Sequence, residues 1–438
     1  MRVRDSIHDD RLPNSYYTAT CNDLSGFSRL EGNIKVDICV VGGGFTGVAT
    51  ALHLAERGYE VALVEQNRIG WGASGRNGGQ VIGGYGQELS NFAKIEKSFG
   101  AGNAETVWKM GVECVDIISD WVKKYDIDCD LKWGYVDLAM KESELEELQH
   151  SKAALEAQGY PHEQKVLDAA ELKNYVGSDR YIGGVTNMGW GHCHVLNLVL
   201  GEARAAEKLG ARIFEDARVS KLHERDGQVV VDMDHCRVTA NKVVLAGNAY
   251  LGKLVPKLAS RVLPAGSYIL ATEPLCEKLS GLIMPAGFAA CDQRWALDYF
   301  RLTPDHRLMF GGLATYSGRH PRDIVSAVQP NMIKVFPELE NTRIDYAWGG
   351  YMGIGLNRIP QVGKVADNIY YAQAYSGHGV APTHMSAKLI AEAISGDTSR
   401  FDIMANVKHP PFPGGQLLRQ PMLAVGMAYY RMKDAMGR

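Results

Sequence analysis

Two hydrophobic rhythms alternate along this chain. Ile34–Val41 (IKVDICVV) is a short, β-branched apolar run, the pattern of a buried parallel strand. It passes directly into Gly42-Gly43-Gly44-Phe45-Thr46-Gly47, then into Val48–Arg57, where apolar residues recur at helical spacing up to a capping Gly58. Glu60–Val64 supplies a second strand ending at Glu65, so the segment reads as a βαβ unit. Residues 1–33 are polar and turn-rich and are expected to run extended over the surface.

Helical spacing then dominates from about Ile95 to Tyr125. Val136–Met140 reads as a strand and Ser143–Gln158 as a charged helix capped by its serine. Leu196–Leu209 is an amphipathic helix, followed by strand patterns at Arg212–Phe214, Ala217–His223, Val229–Asp232 and Lys242–Ala246. Residues 261–313 alternate short strands with turns, as in an antiparallel sheet, and Met332–Phe336 is helical. The last third returns to a buried strand at Asn368–Ala372, a glycine-rich turn at Ser376–Gly379, and a helix over about Pro382–Ser395. This order implies one nucleotide-binding domain built from separated segments, with a mixed-sheet domain inserted.

Composition narrows the class. The 438 residues are 46% hydrophobic with a net charge of −3, which fits a globular chain of two or three folding units and disfavours a nucleic-acid binder. Eight scattered cysteines without a C-x-x-C pair read as reduced thiols, and the N-terminus has no apolar signal region. No apolar run approaches the roughly 18 residues of a membrane span, so a soluble, cytoplasmic protein is expected. Glycine is in excess: 48 residues, about 11% of the chain against roughly 7% on average.

Those glycines bear on chemistry. Gly42, Gly44 and Gly47 form G-x-G-x-x-G between a strand and a helix, the context in which backbone approaches a pyrophosphate at a helix N-terminus. Glu65, at the end of the second strand, is placed to bind ribose hydroxyls and to repel a 2′-phosphate, which disfavours NADP. An ordinary NAD enzyme would continue with regular βα units. Here Gly70–Gln80 (GWGASGRNGGQ) follows instead, and Tyr375–Thr383 (YSGHGVAPT) enters a helix near the end. Two such loops favour FAD, with a helix N-terminus facing the pyrimidine side of the flavin.

VVGGGFTGVATALHLAERGYEVALVE, RIGWGASGRNGGQ, GHCHVLNLVLGEA, VVLAGNAYLG, LDYFRLTPDHRLMFGG and YYAQAYSGHGVAPTHMSAKLIAEAISGD resemble the FAD-dependent D-amino-acid-oxidase-like superfamily, and within it the γ-glutamylputrescine oxidoreductases. The likeness runs from about Ser15 through Pro411–Gly415 and AYYRMKD. It implies a discontinuous Rossmann-like FAD-binding domain over 34–92, 165–250 and 345–405. A substrate-binding domain is implied over 93–164 and 251–344, with extensions at 1–33 and 406–438.

The resemblance also implies site roles. Gly42, Gly44 and Gly47, with Phe45 and Thr46, would hold the pyrophosphate, and Glu65 with Gln66 the adenosine ribose. Gly72, Ala73, Ser74, Arg76, Asn77, Gly78, Gly79 and Gln80 would line the ribityl chain and ring. Val219 would read adenine through its backbone, and Ala246 and Gly247 would lie against the pyrophosphate. Gly377, His378, Gly379, Val380 and Thr383 would meet the ring near its O2 edge. Some relatives bond FAD covalently through a cysteine or histidine; Tyr351–Leu356 has neither, so noncovalent FAD is implied.

The expected reaction is hydride loss from a C–N donor to the flavin, giving an imine that hydrolyses or cyclises, with O2 or another acceptor taking the electrons. Candidate substrate-pocket residues are Tyr250, Tyr268, Tyr299, Arg301, Trp348, Tyr351 and Met352. Aromatic walls orient an amine, and Arg301 suits a substrate carboxylate. His384 is placed to meet O2 or product, or packs within its helix. No catalytic side chain is singled out. The donors weighed are γ-glutamylputrescine or a similar amine, and L-pipecolate or another cyclic amino acid; a non-catalytic FAD-binding subunit is the reading from another class. His192-Cys193-His194 lacks a spaced second ligand pair, so no metal is expected. Leu417–Met432 is amphipathic, reading either as weak membrane-surface contact or as packing on its own domain.

Overall fold

The computed structural model describes residues 11–413, apart from 87, 253, 295–296 and 317–319. The amphipathic C-terminal stretch Leu417–Met432 therefore lies outside the described residues.

Two sheets carry the fold. Ile34–Val41 sits at the centre of the first, its last four residues buried. It pairs in parallel with Val61–Val64 on one side and Arg237–Leu245 on the other, placing Ile38 opposite Val61 and Lys242. Parallel pairing requires a crossover, and the wholly buried helix Phe45–Ala55 provides it. Arg212–Phe214 extends one edge, and Ile369–Gln373 followed by Gln361–Ala366 extends the other. The hairpin of Val219–Arg225 and Gln228–Met233 pairs with the first half of Arg237–Leu245.

The second sheet runs Ile344–Ile354, Leu263–Thr272, Leu308–Thr315, Tyr299–Leu302, Ala289–Asp292, Lys132–Ala139, Gly183–His192 and Gln80–Val81. Gln164–Asp168 also pairs with Gly183–His192. Neighbours are antiparallel except Lys132–Ala139 with Ala289–Asp292. Opposite Leu263–Thr272 the register slips: Ser267 faces Ala314 and Tyr268 faces Gly312, leaving Leu313 as an extra residue with φ 60°. Such a bulge bends a strand and re-aims its side chains.

The architecture is the expected α/β fold, a Rossmann-like cofactor domain assembled from separated segments with a mixed sheet inserted. Several local expectations are corrected. Gln80–Val81, Gln164–Asp168, Gly183–His192 and Ile344–Ile354, most of which the sequence division gave to the cofactor domain, join the second sheet. Conversely, Ala104–Lys124, assigned to the insert, packs on the late helix Val380–Ile394 of the cofactor domain. The N-terminal segment is not merely extended: Tyr16–Ala19 forms one helical turn capped by Ser15, because Tyr16 and Tyr17 bury their rings.

The first helical pattern divides into Phe92–Phe99 and Ala104–Lys124 at Gly100, whose φ of 89° a helix does not tolerate. The charged helix starts at Glu142 on Lys141, so Ser143 is no cap. Ile324–Val335 runs through Pro330 because Ile324, Val328, Met332 and Val335 bury one stripe.

Candidate active site

The central strand ends at Val41, and the chain must turn sharply there to enter its helix. Gly42 makes the turn at φ 113°, and a Cβ there would lie 2.9 Å from the Ala246 carbonyl. Gly47 packs helix against strand: a Cβ there would fall 1.8 Å from the Gly42 oxygen. The helix is capped by Gly44, which offers no side-chain acceptor to the first amides. The late helix Val380–Ile394 is capped by Gly379 and likewise has no side-chain cap. Both N-termini, each with glycine as its N-cap residue, open on one cavity of about 460 Å³.

Along that cavity the glycine-rich loop is held from behind. Ser74 Oγ accepts from Phe45 N (2.9 Å), Asn77 Nδ2 donates to the Ala73 and Ser74 carbonyls, and Asn77 Oδ1 accepts from Gly79 N (2.9 Å). Arg76 donates to the carbonyls of Trp71 (2.6 Å) and Gly349 (3.1 Å), with its guanidinium 4.6 Å from the Trp71 ring centre. Glu65 accepts from Gly43 N at 2.6 Å and Asn67 N at 2.9 Å. Burial raises its carboxyl, opposed by those two donors. Thr46 Oγ1 and Tyr375 Oη meet at 2.8 Å, joining the first loop to the last.

The expected cofactor residues fall along this cavity. Gly42, Gly44, Phe45, Thr46, Glu65 and Gln66 line one end, with Val219, Ala246 and Gly247 beside them. Gly72, Ala73, Ser74, Arg76, Asn77, Gly78 and Gln80 line the middle, and Gly377, His378, Gly379, Val380 and Thr383 the far loop. Gly47 and Gly79 stand behind the lining, where a Cβ at Gly79 would lie 2.4 Å from the Cys193 carbonyl. Two helix N-termini whose N-cap residues are glycines, suited to phosphate and to a negative ring edge, a carboxylate at a strand end, and a loop whose polar side chains brace it together fit FAD.

The substrate-pocket expectations divide. Tyr250, Tyr299, Tyr351 and Met352 line the cavity. Tyr299 lies flat on two glycines, since a Cβ at Gly78 or Gly311 would fall 2.5 or 2.1 Å from its ring. Burial pushes its phenol up to about 12.

Arg301, Trp348, Tyr268 and His384 stand outside the lining. Arg301 is 2% exposed and spends its guanidinium on the carbonyls of Gly78 (3.0 Å), Cys193 (3.0 Å) and Leu302 (3.3 Å) and on the Tyr17 hydroxyl (3.2 Å). It ties the loop to the Cys193 carbonyl from outside the lining. Trp348 is fully buried, donating to the Arg76 carbonyl at 2.9 Å. Tyr268 faces away from the cavity while its neighbour Ser267 faces in, as strand alternation requires. His384 turns inward from the helix, bonded to Glu202 (2.7 Å) and the Val380 carbonyl (2.7 Å).

Other cavity residues escaped the sequence reading: Ile82, Tyr135, Cys291, Leu297, Leu313 and Tyr316. Tyr135 and Cys291 sit on neighbouring strands; Tyr135 precedes the strand expected at Val136–Met140, Cys291 lies within the region expected to alternate strands and turns, and no local pattern says that the two strands pair. His192 and His194 make structural bonds: His192 Nε2 meets the Gly287 carbonyl at 3.1 Å, and His194 Nδ1 caps its helix by accepting from Asn197 N at 3.1 Å.

A strand-to-helix glycine loop and a late helix N-terminus on one cavity define an FAD-dependent oxidoreductase. The chain belongs to the DAO family, FAD dependent oxidoreductases, whose model matches residues 37–393. It is 43% identical over 424 residues to a gamma-glutamylputrescine oxidoreductase of Escherichia coli (strain K12), covering 97% of this chain and 98% of that one. It is 38% identical to a probable oxidoreductase OrdL of Haemophilus influenzae over 96% of this chain and 97% of that one. Among solved structures, an L-proline dehydrogenase from P. horikoshii shares the fold with TM-score 0.69 at 23% identity, over 84% of this chain and 95% of that one. A glycine oxidase from Bacillus cereus ATCC 14579 does so with TM-score 0.68 at 20% identity, over 86% and 99%. Among the described residues, no helix is long and apolar enough to cross a membrane.

Proposed function

We propose that this chain oxidises the C–N bond of an amine that carries no carboxylate on its reacting carbon, with γ-glutamylputrescine or a similar mono-acylated polyamine as donor. The observation that carries this choice is the commitment of Arg301 to carbonyls behind the loop. The arginines among the described residues of the cavity lining are Arg76, which donates to the Trp71 and Gly349 carbonyls, and Arg358, and neither stands on the strands that carry Tyr135, Cys291, Tyr299 and Tyr351. A cyclic amino-acid donor would need a cation there. The name of the relative from Escherichia coli supports the same class.

Bound FAD would supply the hydride acceptor, leaving an imine that hydrolyses or cyclises. The chain's own residues confine the amine. Tyr299 and Tyr351 supply aromatic walls that attract a cation and pack against an alkyl chain. Tyr299 is fixed by the glycines beneath it, and Tyr351 by its backbone N–H, which donates to Tyr250 Oη at 3.0 Å. Ile82 and Leu313 add apolar surface beside them, which favours the neutral amine. Tyr351, Met352, Gly353 and Ile354 face the cavity without a cysteine or histidine among them, which supports noncovalent FAD.

Anaerobic mixing of the yellow holoenzyme with γ-glutamylputrescine, putrescine, L-pipecolate, sarcosine, proline and D-amino acids tests the reading. Bleaching by the acylated amine is expected. Bleaching by amino acids alone overturns the substrate, and bleaching by none favours a non-catalytic subunit. Acid precipitation is expected to release all flavin into the supernatant.

A further inference from the structure

A file of hydrogen-bonded groups runs outward from the cavity wall. Tyr351 lines the cavity, and its hydroxyl meets His320 Nε2 at 2.5 Å. His320 Nδ1 meets Tyr268 Oη at 2.7 Å, and Tyr268 Oη meets Thr315 Oγ1 at 2.9 Å. The imidazole thus stands between two phenols, with its ring centre 4.9 Å from that of Tyr351. Three strands of the second sheet supply the phenols and threonine, while His320 reaches in from the segment that follows Leu308–Thr315.

A neutral imidazole donates at one nitrogen and accepts at the other, whereas an imidazolium donates at both. When Nε2 accepts, Tyr351 spends its proton on His320 and turns its oxygen lone pairs to other donors. When Nε2 donates, the Tyr351 hydroxyl is free to donate elsewhere. Its polarity is therefore set by one proton on His320. Among the described residues, Tyr268 and Tyr351 bond to His320, Thr315 bonds to Tyr268, Tyr250 and Arg76 stand behind Tyr351, and Arg322 and Asp323 follow on its own segment.

We propose that His320, acting through Tyr351, holds the proton that a bound alkylammonium gives up, so that the amine stands neutral in the cavity. This rests on the amine-oxidising reading above. The ammonium N–H bond breaks as an O–H bond forms on Tyr351, and the former Tyr351 proton passes to His320 Nε2. Ammonium and neutral imidazole become amine and imidazolium, and no electrons leave either partner. His320 touches neither the substrate nor the flavin; it is a positioning residue.

The test uses tert-butylamine, which has no α C–H to lose, and reads its Kd on the holoenzyme from the flavin spectrum. Measurements run between about pH 7.5 and 9.5, above the ordinary imidazole range and below that of an alkylammonium, about 10.4. If the proton stays on His320, wild-type Kd is flat across this window. In His320→Gln and Tyr351→Phe the proton must go to solvent, so Kd falls by about tenfold per pH unit. A sloping wild type, a flat variant, or no perturbation of the wild-type spectrum overturns the proposal. Tyr351→Phe interrupts the same proton path while keeping His320, so a misfolded His320→Gln leaves the test intact. Bleaching by γ-glutamylputrescine tests the reading beneath it separately.

Discussion

The two ends of the cavity are built on different plans. The cofactor end is made of backbone: glycines that turn, two helix N-termini, and side chains such as Asn77 and Arg76 that brace the loop from behind. The substrate wing is made of side chains, Tyr135, Cys291, Tyr299 and Tyr351, which arrive from four different strands of one sheet. Backbone recognition tolerates little variation in position, since a single Cβ closes the approach. Side-chain recognition tolerates more, because rings can be exchanged without moving the sheet. The contrast predicts unequal responses to mutation.

The largest effect is expected at the cofactor end. Gly47→Ala places a methyl 1.8 Å from the Gly42 oxygen and must part helix from strand. The Kd for FAD, measured by titrating the apoprotein with flavin, should rise by at least about tenfold, or 1.4 kcal/mol. An unchanged Kd would break the comparison.

Arg301→Met comes next and asks on which plan that residue belongs. It leaves buried carbonyls of Gly78 and Cys193 without a donor, at a cost of about 3 kcal/mol, visible as a lower denaturation midpoint. The folded fraction should keep the wild-type KM for its amine. A KM effect without loss of stability would return Arg301 to the substrate wing.

The seam between the two ends should respond to acid. Burial depresses His192 to about 3 and His194 to about 4, so both are neutral when folded. The unfolded chain binds protons that the folded chain refuses. Their contribution is therefore complete above about pH 6.5 and declines as pH falls through the imidazole range towards the folded values. Each should cost about 1–2 kcal/mol at pH 5 relative to pH 7.5 in denaturant unfolding. His194→Asn, which retains a capping side chain, should remove its share of that loss.

The smallest effect is expected in the substrate wing. The Tyr299 hydroxyl makes only a 3.4 Å contact with Ser267, and the ring is held by glycines, so Tyr299→Phe should change kcat/KM by less than about fivefold, or 1 kcal/mol. A loss of a hundredfold would show that the hydroxyl, and not the ring, meets the substrate.

The same contrast explains what was legible in the sequence. The strand, glycine turn, helix and acidic strand end lie within residues 34–65, so their chemistry and geometry are local. Tyr375–Thr383 is equally local, a strand end running into a helix. The wing is not. Tyr135 and Cys291 become neighbours only through the parallel pairing of two distant strands, and no local pattern encodes that choice. Tyr268 illustrates a finer limit, since a shift of one residue along a strand exchanges cavity for core. Arg301 shares a strand with Tyr299, and both reach Gly78, one with its ring and the other with its guanidinium. Their spacing in sequence shows that they share a face and says nothing about the carbonyls awaiting the charge.

The bulge at Leu313 gives the substrate wing another route to change. Because that residue is an insertion in the pairing, its deletion would leave Ala314 opposite Ser267 and Thr315 opposite Gly266 and close the ladder into regular antiparallel pairing. Tyr316 would keep its place in the cavity wall and Thr315 its bond to Tyr268, while the Leu313 side chain would be lost from the lining. A gene that loses one codon here would thus open the binding surface at one position and leave its neighbours in register. Chain length, as much as residue identity, is a variable by which proteins of this shape can diverge in what they accept.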